Sequence, residues 1–395
     1  MVSAVISRVR NNRFYAAVAW VAGGTAAAQI ITVLTTPVIT RLYSPADYGV
    51  LSMFVAILAV LQPLSTLTYS VAIPLAEDER LAYSVLKLCF LITLILSILL
   101  AAIIPVFGAR IAAHFSVAHA APYLWLLPIC LFGAGLYEAL SSWAIRRKFF
   151  TTIAHTKLSQ GGSAATLKIG LGWLGVRPLG LLLGLLASSA AGCGSIASKL
   201  LKEEPHILTR YSWRAVADAA KRFYRFPLLR SWSRLLLSLN GKLPVFFVAA
   251  LFGVEVVGQF GLAYSMINLP IVLVGSSVAQ VYYAEIARYG RSQPAEIRRL
   301  TMSVMRKMLL VGLLPIGPII VAGPPLFSLI FGPQWHDAGI YARWLSVVIL
   351  GKFVSMPVMH CLDVFERQGM QVMLNVIRMV LITAVFMACK VLAVS

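Results

Sequence analysis

Long apolar runs separated by short polar segments recur from one end of the chain to the other. A helix needs about 20 mostly apolar residues to cross the ~30 Å hydrocarbon core of a bilayer. Eleven such stretches can be delimited, at 14–37, 48–70, 84–107, 121–144, 158–175, 178–198, 228–252, 256–283, 308–331, 341–362 and 371–394. The fifth, LSQGGSAATLKIGLGWLG, is the weakest, being short, Gly-rich and interrupted by Lys168. Arg8, Arg10 and Arg13 precede the first run as in the n-region of a signal peptide, but no small-residue cleavage site follows a short apolar core. The first run therefore reads as a retained helix, and the pattern predicts an all-α polytopic membrane protein.

Composition agrees. Of 395 residues, 59% are hydrophobic and 12% charged, where a soluble domain is about a quarter charged. The net charge of +20 would suit nucleic acid, but its distribution does not. Alternate polar segments, counted from the N-terminal one, hold 22 of the 34 Lys and Arg. The opposite set holds three, Arg41, Arg110 and Arg177. Such asymmetry is the positive-inside rule and predicts a cytoplasmic N-terminus. Segments such as RRKFF are then topology determinants resting on anionic headgroups of membrane lipid, and no nucleic-acid partner is expected.

The longest hydrophilic segment, 199–227, mixes apolar and basic residues and predicts an amphipathic connector on the cytoplasmic surface. It divides the chain into an N-terminal six-helix bundle at 1–198 and a C-terminal bundle of five spans at 228–395. A weak internal echo supports two parallel halves. Pro37 leads through a turn to Gly49, Pro244 through a turn to Gly258, and the helices that follow carry Pro63 and Pro270. Prolines at 63, 128, 270, 315, 318 and 357 fall inside spans, where neighbours must satisfy the freed carbonyls. Gly180, Gly184, Ser188 and Gly192 repeat at the small-residue spacing of tight helix crossings.

Candidate chemistry is sparse. The five cysteines, Cys89, Cys130, Cys193, Cys361 and Cys389, lie in apolar runs without metal-ligand spacing and read as packing residues. His114 and His119 share a loop with no acidic or Cys companion, so no metal is expected. Of the 14 Asp and Glu, Glu138 lies inside a span and Asp363 near the end of one. No carboxylate pair is set for acid–base work, and neither a nucleophilic triad nor a Walker loop is present. No enzyme and no cofactor are expected. Glu138 is the candidate for pairing with a cation or for ion coupling.

The cations within spans are more telling. Arg230, Arg234, Ser238 and Lys242 follow one another at intervals of four residues. On a helix they form one inclined stripe about 18 Å long. Arg230 is near enough to the interface to snorkel, while Lys242 lies past the middle of its span. A charge at the bilayer centre costs at least ~2.5 kcal/mol, so a deep cation requires either an acid or a wet cavity. A polar, cationic interior would hold an anion, Arg as a fork for phosphate and Lys as a point charge.

Four stretches carry a family resemblance: TTPVITRLYSPADYGVLSMF, the long run from YRFPLLRSWSRLLLSLNGKLPVFF to SSVAQVYYAE, LFSLIFGPQWHDAGIYARWLSVV, and VFERQGMQVMLNVIR. Together and in this order they resemble the Wzx-type oligosaccharide flippases of the polysaccharide transporter family. That family lies within the multidrug/oligosaccharidyl-lipid/polysaccharide (MOP) superfamily. The resemblance implies two six-helix bundles of MATE-like fold that move an undecaprenyl-diphosphate-linked oligosaccharide, an O-antigen or exopolysaccharide repeat unit, across the inner membrane. It further implies alternating access coupled to an ion gradient, no ATP, and a glycan polymerase and chain-length proteins as partners. Family members have at least twelve spans, so a last helix is expected to be missing from 228–395. On this reading Arg230, Arg234 and Lys242 hold the lipid diphosphate. A multidrug cation antiporter of the same superfamily is the alternative within transport, although it should line its cavity with acids. A non-transporting scaffold for membrane glycan assembly is the alternative of a different class.

Overall fold

The computed structural model describes residues 13–114, 118–203, 213–270, 274–289, 293–359, 361, 365 and 368–394. Arg8, Arg10, Asp363 and the 204–212 part of the connector lie outside them, as do the side chains of His114 and His119. Every regular element among the described residues is helical. The first five helices are α1 (Arg13–Leu42), α2 (Pro45–Ser65), α3 (Glu79–His114), α4 (Leu126–Arg146) and α5 (Phe150–Trp173). Three shorter ones follow, α6 (Leu179–Ala190), α7 (Cys193–Glu203) and α8 (Trp213–Arg222). The remainder are α9 (Trp232–Pro270), α10 (Ser276–Tyr289), α11 (Pro294–Phe331), α12 (His336–Ser355) and α13 (Gln368–Val394).

Nine helical stretches among the described residues are long and apolar enough to cross a membrane. Two features separate this number from the eleven expected runs. The runs at 228–252 and 256–283 both enter α9, which Gly253 breaks with φ 84° and ψ 177°, a conformation open to glycine. The weak fifth run is helical throughout α5 but is too polar to qualify on hydropathy. Its stability comes from packing against α1 and α6. A Cβ on Gly24 would strike the backbone of Ala154, and one on Gly161 would meet that of Ala28. Close backbone approach through small residues replaces hydropathy as the source of its stability.

The chain forms two compact units, one of residues 1–43 and 53–242, the other of 44–52 and 243–395. In the first, Tyr69, Tyr83, Cys89, Leu140, Trp143, Ile196 and Ala219 form a buried cluster. Helix α8 packs on α3 with Val216 and Ala219 inward. The RRKFF cations are tied into this unit more closely than headgroup attraction would require. Arg146 donates to the Ala76 carbonyl at 2.6 Å, and Arg147 donates to the Tyr83 hydroxyl at 2.8 Å. Glu79 approaches both guanidinium groups, at 3.8 and 3.4 Å.

In the second unit, three of the four family-like stretches converge. Ser44 and Asp47 form a reciprocal cap ahead of α2, the Ser44 amide donating to the carboxylate at 2.9 Å and the Asp47 amide to the hydroxyl at 3.2 Å. Pro45 occupies the first turn, where a missing N–H costs nothing. Gly49 and Gly258, the two glycines of the internal echo, meet at one crossing. A Cβ on Gly258 would collide with the Pro45 carbonyl and the Gly49 amide, and one on Gly49 with the Val254 carbonyl. Tyr48 packs edge-on against the fully buried Trp335, with ring centroids 5.0 Å apart. Gln259 donates to the Gln334 carbonyl at 2.7 Å and accepts from the Ala338 amide at 2.9 Å.

Candidate functional site

The first unit holds an acid and an arginine side by side. Glu138 comes from the middle of α4, and Arg234 from the first turn of α9. Arg234 Nη1 lies 3.7 Å from Glu138 Oε1, with 22% of the Glu138 side chain and 41% of the Arg234 side chain exposed. The same oxygen accepts a 2.8 Å hydrogen bond from the Ser70 hydroxyl. A cavity of about 170 Å³ opens beside them, lined by Ala59, Gln62, Pro63, Glu138, Arg234 and Ser238. Pro63, inside α2, frees a carbonyl of the preceding turn on that helix.

Local sequence explains how Ser70 arrives there. The second apolar run was expected to continue as a helix to residue 70, but α2 ends at Ser65. Leu67 and Thr68 then adopt left-handed backbone angles, φ 46° and 56°. Each costs about 1–2 kcal/mol for a residue with a Cβ. A single 3-10 turn, Tyr69–Ala72, follows. The turn is bonded on two sides. Ser70 reaches Glu138, while Thr68 donates to the Phe226 carbonyl at 3.2 Å and lies 3.2 Å from the Ser231 hydroxyl. Phe226–Ser231 is itself a π-helical turn leading into α9, a form of helix often found at functional sites. Tyr69 donates to the Ala220 carbonyl of α8 at 3.2 Å.

The expected stripe is therefore only partly assembled. Arg234 and Ser238 both line the cavity with Glu138. Arg230 lies in the π turn and is exposed. Lys242 is half-buried and engaged in an interaction of its own, two turns or ~12 Å further along α9, and does not line this cavity. Gln62 and Ser70 were not anticipated, and the only available signal was the polar run TLTYS at the end of an apolar stretch.

The architecture is that of a multi-pass helical membrane protein. Two solved structures share it: an inward-facing multidrug resistance MATE family transporter of the MOP superfamily, with TM-score 0.62 and 16% identity over 89% of this chain and 84% of that one, and an outward-facing one, with TM-score 0.57 and 15% identity over 91% and 84%. At such identities the likeness is one of fold. No curated protein matches the sequence. Residues 38–339 match the family of polysaccharide biosynthesis proteins, and the chain belongs to that family. Membership in a polysaccharide biosynthesis family together with a MATE-like fold agrees with the resemblance to Wzx-type exporters.

Proposed function

We propose that this protein flips an undecaprenyl-diphosphate-linked oligosaccharide between leaflets of the inner membrane by alternating access, with its N-terminus in the cytoplasm. The observation that carries the reading is Arg234 beside a polar cavity within a member of a polysaccharide biosynthesis family. A guanidinium is a forked donor matched to phosphate oxygens. Arg234 receives the diphosphate, Lys242 supplies a second cation along the same helix, and Arg230 attracts the headgroup at the approach. Glu138 holds Arg234 while no substrate is bound. An arriving diphosphate competes with the carboxylate for the guanidinium, and the freed carboxylate becomes the group through which an ion gradient can act. A drug-cation antiporter would use the carboxylate as its primary ligand, whereas here the arginine already neutralises it. The test is flipping of a fluorescent undecaprenyl-diphosphate sugar in proteoliposomes. Arg234→Ala and Lys242→Ala should abolish it in protein that still inserts, and Lys242→Arg should retain part of it. Full activity in the double alanine variant would refute the proposal.

A further inference from the structure

Away from that cavity, α11 carries a second concentration of cations. Arg299, Met302, Ser303, Arg306 and Lys307 line an open groove of about 410 Å³. Among the described residues, no ion pair or hydrogen bond engages its three cations. The groove continues into a distinctive strip. At 100° per residue, Arg299, Ser303, Arg306, Leu310, Leu314 and Val321 fall within an arc of about 80° on α11. The last three are 70%, 81% and 77% exposed. The opposite side of the helix is the packed one, with Met308, Gly312 and Ile316 buried and Gly312 set against Leu350 and Phe353 of α12.

One helix face thus has a cationic head region followed by an apolar track. From Lys307 to Val321 the track rises about 21 Å, more than the ~15 Å that is half of the hydrocarbon core. An anionic amphiphile matches this order of chemistry: phosphate at the cations, hydrocarbon along the track. A glycan-bearing lipid would bring many hydroxyls to a groove that offers a single hydroxyl side chain, Ser303. A phospholipid brings a small headgroup and one negative phosphate. We propose that this groove is a binding site for an anionic membrane phospholipid, its phosphate held by Arg299, Arg306 and Lys307 and one acyl chain lying on Leu310, Leu314 and Val321. The site is separate from the Arg234 cavity and does not depend on the substrate proposed for it.

Native mass spectrometry of the full-length protein with added phosphatidylglycerol or phosphatidylcholine tests the site. The wild-type chain should retain phosphatidylglycerol with about tenfold preference. An Arg299→Ala, Arg306→Ala, Lys307→Ala variant should lose that preference, whereas a control triple at Lys202, Arg214 and Lys221 should keep it. Ser303→Asp provides a second test in a protein that keeps all three cations, since a carboxylate in the groove should expel the phosphate. Helix content and melting temperature report that each variant is folded. Equal phosphatidylglycerol retention by the wild-type chain and by a folded Ser303→Asp protein would overturn the proposal. So would displacement of the bound phosphatidylglycerol by farnesyl diphosphate at equal concentration, which would reassign the groove to a polyprenyl diphosphate.

Discussion

Replacing Glu138 by Gln removes a charge and little else. The amide keeps an oxygen that can accept from the Ser70 hydroxyl, 2.8 Å away in the native protein. The ion pair with Arg234 is lost. At 3.7 Å and an effective dielectric constant of about 20, bare Coulomb attraction would be ~4 kcal/mol. Arg234 is 41% exposed, however, and pairs so screened by solvent are worth ~1 kcal/mol. The fold should therefore lose about 1 kcal/mol or less, and Arg234 should become correspondingly more available to an anion. About 1 kcal/mol is roughly a fivefold change in dissociation constant. Titration of purified protein with farnesyl diphosphate, a short polyprenyl diphosphate, reads this directly by calorimetry. Glu138→Gln should bind about fivefold more tightly than wild type, and Arg234→Ala should lose binding in either background. Unchanged or weaker binding in a folded Glu138→Gln protein, with Arg234→Ala still defective, would refute competition by Glu138 and leave Arg234 as the anion site. Undiminished binding by Arg234→Ala would refute the site itself.

Four further outcomes follow from the geometry. Ser70→Ala should cost about 1–2 kcal/mol in thermal unfolding because the part-buried carboxylate loses its donor, and the cost should shrink in the Glu138→Gln background, where the acceptor is neutral. Gly258→Ala drives a Cβ into the Pro45 carbonyl and should destabilise by about 2–3 kcal/mol, seen as a lower melting temperature in detergent. Gly241→Ala, which meets open space, should be neutral or up to ~1 kcal/mol stabilising. Arg147→Ala leaves Glu79 and Glu203 without the cation that lies 3.4 and 3.7 Å from them and should cost about 1–2 kcal/mol, with a matching fall in the amount of protein in the membrane.

What the sequence conveys about this molecule depends on whether the physics involved is local. Span length and hydropathy are local, so the helical membrane class and most helix positions could be read directly. The shared face of Arg234 and Ser238 is also local, because helical periodicity sets it. Arg230 falls in the π turn Phe226–Ser231, ahead of α9, and is exposed, and nothing in the local sequence marks that turn. The contact of Glu138 with Arg234 joins helices far apart in sequence. Only the rarity of intramembrane acids hinted at it. Ser70 was invisible for a subtler reason. Hydroxyls in these helices regularly bond to their own preceding turn, as Thr25, Thr35 and Thr36 do with the carbonyls of Val21, Ile31 and Thr32. A Thr/Ser run such as TLTYS is therefore compatible with an ordinary helix end. It became part of a site because Leu67 and Thr68 turn left-handed, and no glycine marks that turn. The paired glycines behave in the opposite way. Gly49 and Gly258 were legible as echoes of each other, yet their meaning was not, since an echo suggests symmetry and says nothing of contact. At the crossing Gly258 must be small because the Pro45 carbonyl and the Gly49 amide face it, and Gly49 because the Val254 carbonyl does. The two glycines thus answer two steric constraints at one helix crossing, which a likeness between two stretches of sequence does not announce.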